Sequence, residues 1–236
     1  MKKVIHRAGT RGHSDHGWLD SYHTFSFADY HAPERIHFGA LRVLNDDTVA
    51  GGEGFGAHPH DNMEIVSIPL EGELRHQDSM GHTSVLRTGE IQVMTAGTGI
   101  IHSEFNNSPD RPVKFLQIWV FPDRRGLPTR YEEITLAPAR TNELRTIVAP
   151  EGNGSEHTAC IHQSAWFHTL NLEKDTYEYA MRREGNGLYV FVLEGDVTVE
   201  NEKLASRDGM GIWEQNDITL HTDGKASLLL IEVPMR

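Results

Sequence analysis

The sequence predicts an all-β protein built from two tandem β-barrels of the jelly-roll type. The first reason is the pattern of apolar residues. Short alternating or wholly apolar runs recur at 36–44, 63–70, 83–94, 113–121, 188–195, 217–222 and 226–233, separated by glycine, asparagine or aspartate. Runs of that length between turn residues read as strands, and many of them at close spacing read as a sandwich or barrel. The second reason is that few stretches sustain a 3.6-residue apolar period, and no strand–helix alternation of the dinucleotide-binding kind is visible. The third is an internal echo. VSIPLEG at 66–72 returns as YVFVLEG at 189–195, and each half closes on an apolar strand ending in proline, QIWVFP at 117–122 and LLIEVP at 229–234.

The echo sets the domains at 1–130 and 131–236. The polar, proline-containing stretch LPTRYEEITLAPARTNE at 127–143 reads as the linker, and APEGNGSE at 149–156 as a loop. The acidic cluster Tyr131-Glu132-Glu133 reads as a solvated face. A chain of 236 residues fits one large domain or two small ones.

Composition narrows the function. The net charge is −12, with 22 Lys+Arg against 34 Asp+Glu, which disfavours a phosphate backbone as a direct partner. No apolar run approaches the roughly 18–20 residues of a membrane helix. The basic N-terminus lacks the apolar segment of a signal peptide. A single cysteine, Cys160, excludes an internal disulfide and a cysteine-rich zinc site, and the expected compartment is the cytoplasm. No GxGxxG or GxxxxGK[ST] stands between a strand and a helix, so no nucleotide cofactor is expected. The 15 histidines are many for this length, and their positions must decide what they do.

Two positions matter most. In AHPHDNMEIV (57–66), His58 and His60 are two residues apart, so on a strand they face the same side. If the strand ran on regularly, Glu64 would share that face. About forty residues later, in GTGIIHSEFNN (97–107), His102 and Glu104 form a second i,i+2 pair. Two such pairs can meet inside a small barrel. Three imidazoles and a carboxylate suit a divalent first-row metal. One HxH pair alone is as often a solvated pair, and the second pair is what raises the metal reading above that. Aligned on LEG, the second copy puts Met181 and Arg183 where His58 and His60 stand, so the C-terminal domain is expected to lack metal ligands. His221 has no partner pair and reads as an ordinary strand histidine. Trp18, Tyr22, His23, Phe25, Phe27, Tyr30 and His31, within 16–31, read mostly as packing of an N-terminal arm, with a possible part in shaping the barrel mouth. Trp166, Phe167 and Trp213 are expected to fill the second core, and Cys160 to be an inert thiol.

These stretches resemble the cupins. HxH with Glu64 and Gly72 beyond it resembles the first cupin motif, and GEIQVMTAGTGIIHSEFN (89–106) the second. More closely, HGWLDSYHTFSFADYH (16–31), AHPHDNMEIVSIPLEGELRHQDSMG (57–81), the 89–106 stretch and FLQIWV (115–120) resemble the pirin family of two-domain cupins. The likeness covers most of residues 10–122; the C-terminal half matches in plan rather than in motif. The resemblance implies a bicupin with one metal in the N-terminal barrel, held by His58, His60, His102 and Glu104. A general cupin pattern would use Glu64 in place of Glu104; the HSE form favours Glu104. It also implies a metal-dependent dioxygenase that opens the ring of flavonols such as quercetin, with release of carbon monoxide. The expected metal is Fe²⁺, with Ni, Cu, Mn, Co and Zn as alternatives that sequence does not separate. The expected partners are a small flavonol-like aromatic substrate and O₂, and Glu104 is the expected catalytic base. The alternative is a non-catalytic regulatory protein whose metal state tunes a protein partner.

Overall fold

A computed structural model describes residues 1–235. Among them are 20 strands and no α-helix; two short 3₁₀ turns, Ala8–Thr10 and Pro33–Arg35, are the only helical elements. Among the described residues, no helix is long and apolar enough to cross a membrane. The strands form three sheets of nine, four and seven strands.

The seven-stranded sheet of the first barrel is built around Val113–Val120, which pairs antiparallel with both Leu41–Val49 and Glu64–Glu71. Its sequence, VKFLQIWV, buries Val113, Phe115, Leu116, Ile118 and Val120, as a strand hydrogen-bonded on both sides and covered on both faces should. The four-stranded sheet runs in the order Gly54–His60, Ile100–Asn106, Glu73–Asp78, Thr83–Arg87. The nine-stranded sheet belongs to the second half, where Trp166–Ala180 pairs with Asp217–Pro234 along nearly its whole length.

The predicted runs mostly appear as strands, with three differences. The run 36–44 is strand only from Leu41 onward. The run 83–94 is two strands, Thr83–Arg87 and Glu90–Thr95, because Gly89 turns the chain at φ +90° and sends the halves into different sheets. Conversely, 217–222 and 226–233 are one strand of 18 residues. Asp223 and Gly224 lie opposite Lys174, whose φ of +47° bulges the partner strand, so the ladder resumes on either side.

The echo is structural. Gly72 and Gly195, which end the two LEG motifs, have φ of +80° and +79°. A Cβ would lie 2.9 Å from the Pro112 carbonyl oxygen at Gly72 and 1.9 Å from that of Lys225 at Gly195. Both positions therefore require glycine for the same two reasons, conformation and close approach.

The two halves share a core. One buried cluster joins Val66, Leu116 and Ile118 of the first barrel to Phe167, Phe191 and Ile231 of the second. A second cluster, including Leu188, Val190 and Leu230, lies wholly in the C-terminal half. Phe167 is fully buried, and Trp213 packs half-buried against the shared core. Lys2–His6 pairs with Gly209–Trp213 in the second sheet, while Arg130–Thr135 pairs with Glu90–Thr95 in the first. Each half thus lends a strand to the other.

The segment expected to be linker and solvated face is therefore partly sheet. Arg130–Thr135 is a strand, Leu127 is buried, and Tyr131 is half-buried. Tyr131 stacks between His76 and His82, with centroids 4.8 and 4.7 Å away. Glu132 pairs with Arg130 and accepts a hydrogen bond from the Cys160 amide. Composition made this stretch look solvated; pairing with an edge strand and one aromatic anchor bring it in.

Candidate metal centre

His58 and His60 stand on Gly54–His60, and His102 and Glu104 on the neighbouring Ile100–Asn106. In register, His102 lies directly opposite His58. A bulge between His102 and Glu104 then shifts the pairing, so that Glu104 meets Phe55. Bulges re-aim side chains next to functional sites. The structure brings the three imidazoles together: the centroids of His58 and His102 are 4.4 Å apart, His58 and His60 4.8 Å, His60 and His102 4.9 Å. One ring nitrogen from each lies within 4.8 Å of the others. Glu104 groups at the same distance limit with His102 and His76, not with His58 and His60.

The cluster is polar, buried at His102 and Glu104 and half-buried at His58 and His60. Both Glu104 oxygens accept hydrogen bonds, one from the Ser67 hydroxyl at 3.2 Å and one from the Gln117 amide at 2.8 Å. Burial pushes the Glu104 carboxyl up to about 7, against the lowering effect of those two donors. Burial and the neighbouring imidazoles push His102 down to about 2; burial and His58 push His60 down to about 4. His60 and His102 are thus neutral at neutral pH, the form that binds metal. His58 donates from Nδ1 to the Gly56 carbonyl at 2.8 Å, which leaves its Nε2 as a free lone pair.

A buried polar atom without a partner calls for an explanation. His102 Nε2 is such an atom. In a cluster of three imidazoles with a carboxylate close by, a cation is the partner that fits, and the donor set suits a divalent transition metal.

The cluster opens on a pocket of about 200 Å³ lined by Phe27, Phe55, His58, His60, Glu104 and Trp119, among others. Phe27 meets Trp119 edge-on at 5.4 Å, and Trp119 meets His60 at 4.8 Å. Of the N-terminal arm, Phe25 is core while His23 and Phe27 line this pocket. A more open concavity on the second barrel is lined by Arg7, Asp208 and His221, and among the described residues no such cluster lies there.

Glu64 lies elsewhere. The first ligand strand ends at His60, Asn62 turns the chain at φ +46°, and Glu64 begins a strand of the other sheet. Its carboxylate accepts from Thr95 at 2.8 Å and meets His162 of the second half at 3.3 Å. Parity counted across that turn does not hold, and Glu64 belongs to neither cluster.

Sequence reasoning missed His76. It is fully buried on Glu73–Asp78, with its ring 5.3 Å from that of His102. A signal was present: His76 and Asp78 are a third i,i+2 pair of ligand-type residues, after 58/60 and before 102/104.

The pirin family profile matches residues 4–120, and that of the quercetinase C-terminal cupin domain matches 146–233. The chain belongs to the pirin family. A relative in Escherichia coli K12, quercetin 2,3-dioxygenase, is 39% identical over 230 residues, covering 98% of each chain. The crystal structure of the E. coli bacterial pirin YhhW in complex with nickel(II) superposes with a TM-score of 0.93 at 36% identity, covering all of both chains. A quercetin 2,3-dioxygenase from Acinetobacter baumannii has the same fold, with a TM-score of 0.81 at 22% identity, covering 98% of this chain and 86% of that one. As a pirin, the chain is an almost wholly β bicupin.

Proposed function

We propose that this pirin is a metal-dependent dioxygenase acting on flavonols such as quercetin, with one metal held in the first barrel by His58, His60, His102 and Glu104. The observation that carries this reading is the unpartnered His102 Nε2 within a three-imidazole cluster, at the end of an aromatic-walled pocket that Glu104 also lines. The name of the E. coli relative supports the substrate class. The nickel complex of bacterial pirin supports a metal site and shows that a related protein takes Ni²⁺. Ferrous iron is the metal proposed here, since imidazole and carboxylate donors with positions left open suit oxygen-using iron.

Bound there, the metal would supply a cationic centre that acidifies a phenol and leaves room for substrate and dioxygen. The protein's own residues do the rest. Phe27, Phe55 and Trp119 offer flat apolar walls that orient an aromatic ring and exclude water. Glu104 sits at the pocket with both oxygens held by Ser67 and Gln117, placed to take the proton of a substrate hydroxyl.

The test is metal content together with oxygen uptake and carbon monoxide release, using quercetin and Fe²⁺-loaded protein. About one metal per chain with uptake supports the reading. One metal without uptake on any flavonol favours the regulatory alternative. Glu64→Gln is expected to keep its metal and Glu104→Gln to weaken it; the reverse would assign the fourth ligand to Glu64.

A further inference from the structure

Behind His102 lies a line of polar contacts that the proposed reaction does not use. His102 Nδ1 is 3.5 Å from His76 Nδ1, and His76 Nε2 is 3.4 Å from Asp78 Oδ2. The same Asp78 oxygen accepts from His82 Nδ1 at 2.9 Å. Its other oxygen accepts from the backbone amides of Met80 and His82 at 2.9 and 3.0 Å. The first two contacts are at the long limit for hydrogen bonds, and closure by a few tenths of an ångström brings them to ordinary length. The strands impose the line: His102 pairs in register with Asp78, and Glu104 with His76. Tyr131 stacks on both the His76 and the His82 rings, at interplanar angles of 26° and 18°.

Each contact has only one possible direction. An ionised carboxylate accepts and never donates, so His76 carries its proton on Nε2. A neutral His76 then has only a lone pair at Nδ1, so it can only accept. His102 must therefore carry its proton on Nδ1, which leaves Nε2, the atom without a partner, as its one free lone pair. We propose that His76 and Asp78 are positioning residues that hold His102 in the Nδ1–H tautomer and so keep its Nε2 available to a metal. His76 is not itself a ligand, because both of its nitrogens are engaged. The Gly56 carbonyl does for His58 in one step what this line does for His102 in two. The consequence for metal affinity rests on the metal reading above, whereas the tautomer is a property of the metal-free protein.

The experiment is long-range ¹⁵N–¹H correlation of the histidine rings, in the metal-free and Zn²⁺-loaded protein, paired with Zn²⁺ affinity by chelator competition. Wild type is expected to show His102 protonated at Nδ1 before any metal is added. His76→Leu should mix the tautomers and weaken Zn²⁺ binding about 10–100-fold, the usual effect of losing such a partner. His76→Gln, whose carbonyl can accept from His102 and whose amide can donate to Asp78, should restore both, which a role in packing alone would not predict. Asp78→Asn should loosen the tautomer, since its amide can donate to His76 instead of accepting. Should His76→Leu fail to fold, the wild-type spectrum and the other two variants still decide. An Nε2–H tautomer in metal-free wild type overturns the proposal. So does a metal-bound shift on a His76 nitrogen, or unchanged tautomer and affinity in both His76→Leu and Asp78→Asn. If Zn²⁺ does not bind at all, the metal reading fails, and the metal-free tautomer still tests this one.

Discussion

Each barrel carries a buried group of polar side chains, and they are finished differently. In the second barrel, His168 bonds through Nδ1 to the Thr146 hydroxyl and through Nε2 to Tyr179, at 3.0 and 3.2 Å. Tyr179 donates to Glu232 at 2.7 Å, and Glu232 also accepts from the amides of Arg182 and Arg183 and from Asn186. Every atom of that network has a partner. In the first barrel, His102 Nε2 has none, and His23, Asn45 and Trp119 on the pocket wall each hold another unpartnered atom. Among the described residues, only Arg207 in the second half has such an atom. A closed network stabilises and specifies a core, whereas an open one costs stability until something enters it. The difference between the barrels is therefore one of completion, more than of polarity.

That contrast is sharpest for metal. His102→Ala or His58→Ala should abolish stoichiometric metal binding, measured by elemental analysis, with the β core intact by circular dichroism. Met181→Ala, at the echo position in the second half, should leave metal content unchanged; a fall would give the second barrel a site of its own. Next in size is Glu232→Ala. It strands the Tyr179 hydroxyl, the Asn186 amide and two backbone N–H groups, and should cost about 3–5 kcal/mol in urea unfolding while metal content holds.

The pH response should separate the barrels by sign. Burial and then Arg182 push His168 down to about 3, so the folded state resists a proton that the unfolded state takes near 6.5. Its contribution is full above 6.5 and is lost as pH falls, by about 2 kcal/mol between pH 6.5 and 5. Burial pushes Asp47, on the first barrel's pocket wall, up to about 7 from 3.8. Its contribution is full below 3.8 and is lost as pH rises, by about 2 kcal/mol between pH 5 and 7. In metal-free protein, His168→Gln should flatten the acid side of the stability curve and Asp47→Asn the neutral side. Equal slopes in both variants would break the comparison. The smallest effect expected is from Tyr131→Leu, which removes two ring stacks worth about 1 kcal/mol each at most and should weaken metal binding less than tenfold.

Much of this was legible before the fold. Strand alternation put His58 with His60 and His102 with Glu104, because side-chain direction on a strand is a local property with period two. The LEG echo marked equivalent places in the two halves, and the two glycines show why: the same turn needs the same missing Cβ. The sequence itself has an HxH pair with an HxE pair in the first half and no second HxH at the echo positions Met181 and Arg183. Where the chain turns, the same rule failed. Glu64 follows His60 closely in sequence, yet Asn62 puts it in another sheet, against His162 of the other half.

The sequence by itself determined a pair of β-barrels and the residues with ligand chemistry that share a strand face. Only the tertiary structure decided which strands lie side by side, and so that His102 pairs with His58 on one edge and Asp78 on the other. It alone brought Tyr131, from within the presumed linker, to stack on His76. It alone left His102 Nε2 without a partner. Periodicity is written in neighbouring residues, whereas an unfilled hydrogen bond is a property of everything that surrounds an atom, and that surrounding comes from residues far apart in the chain.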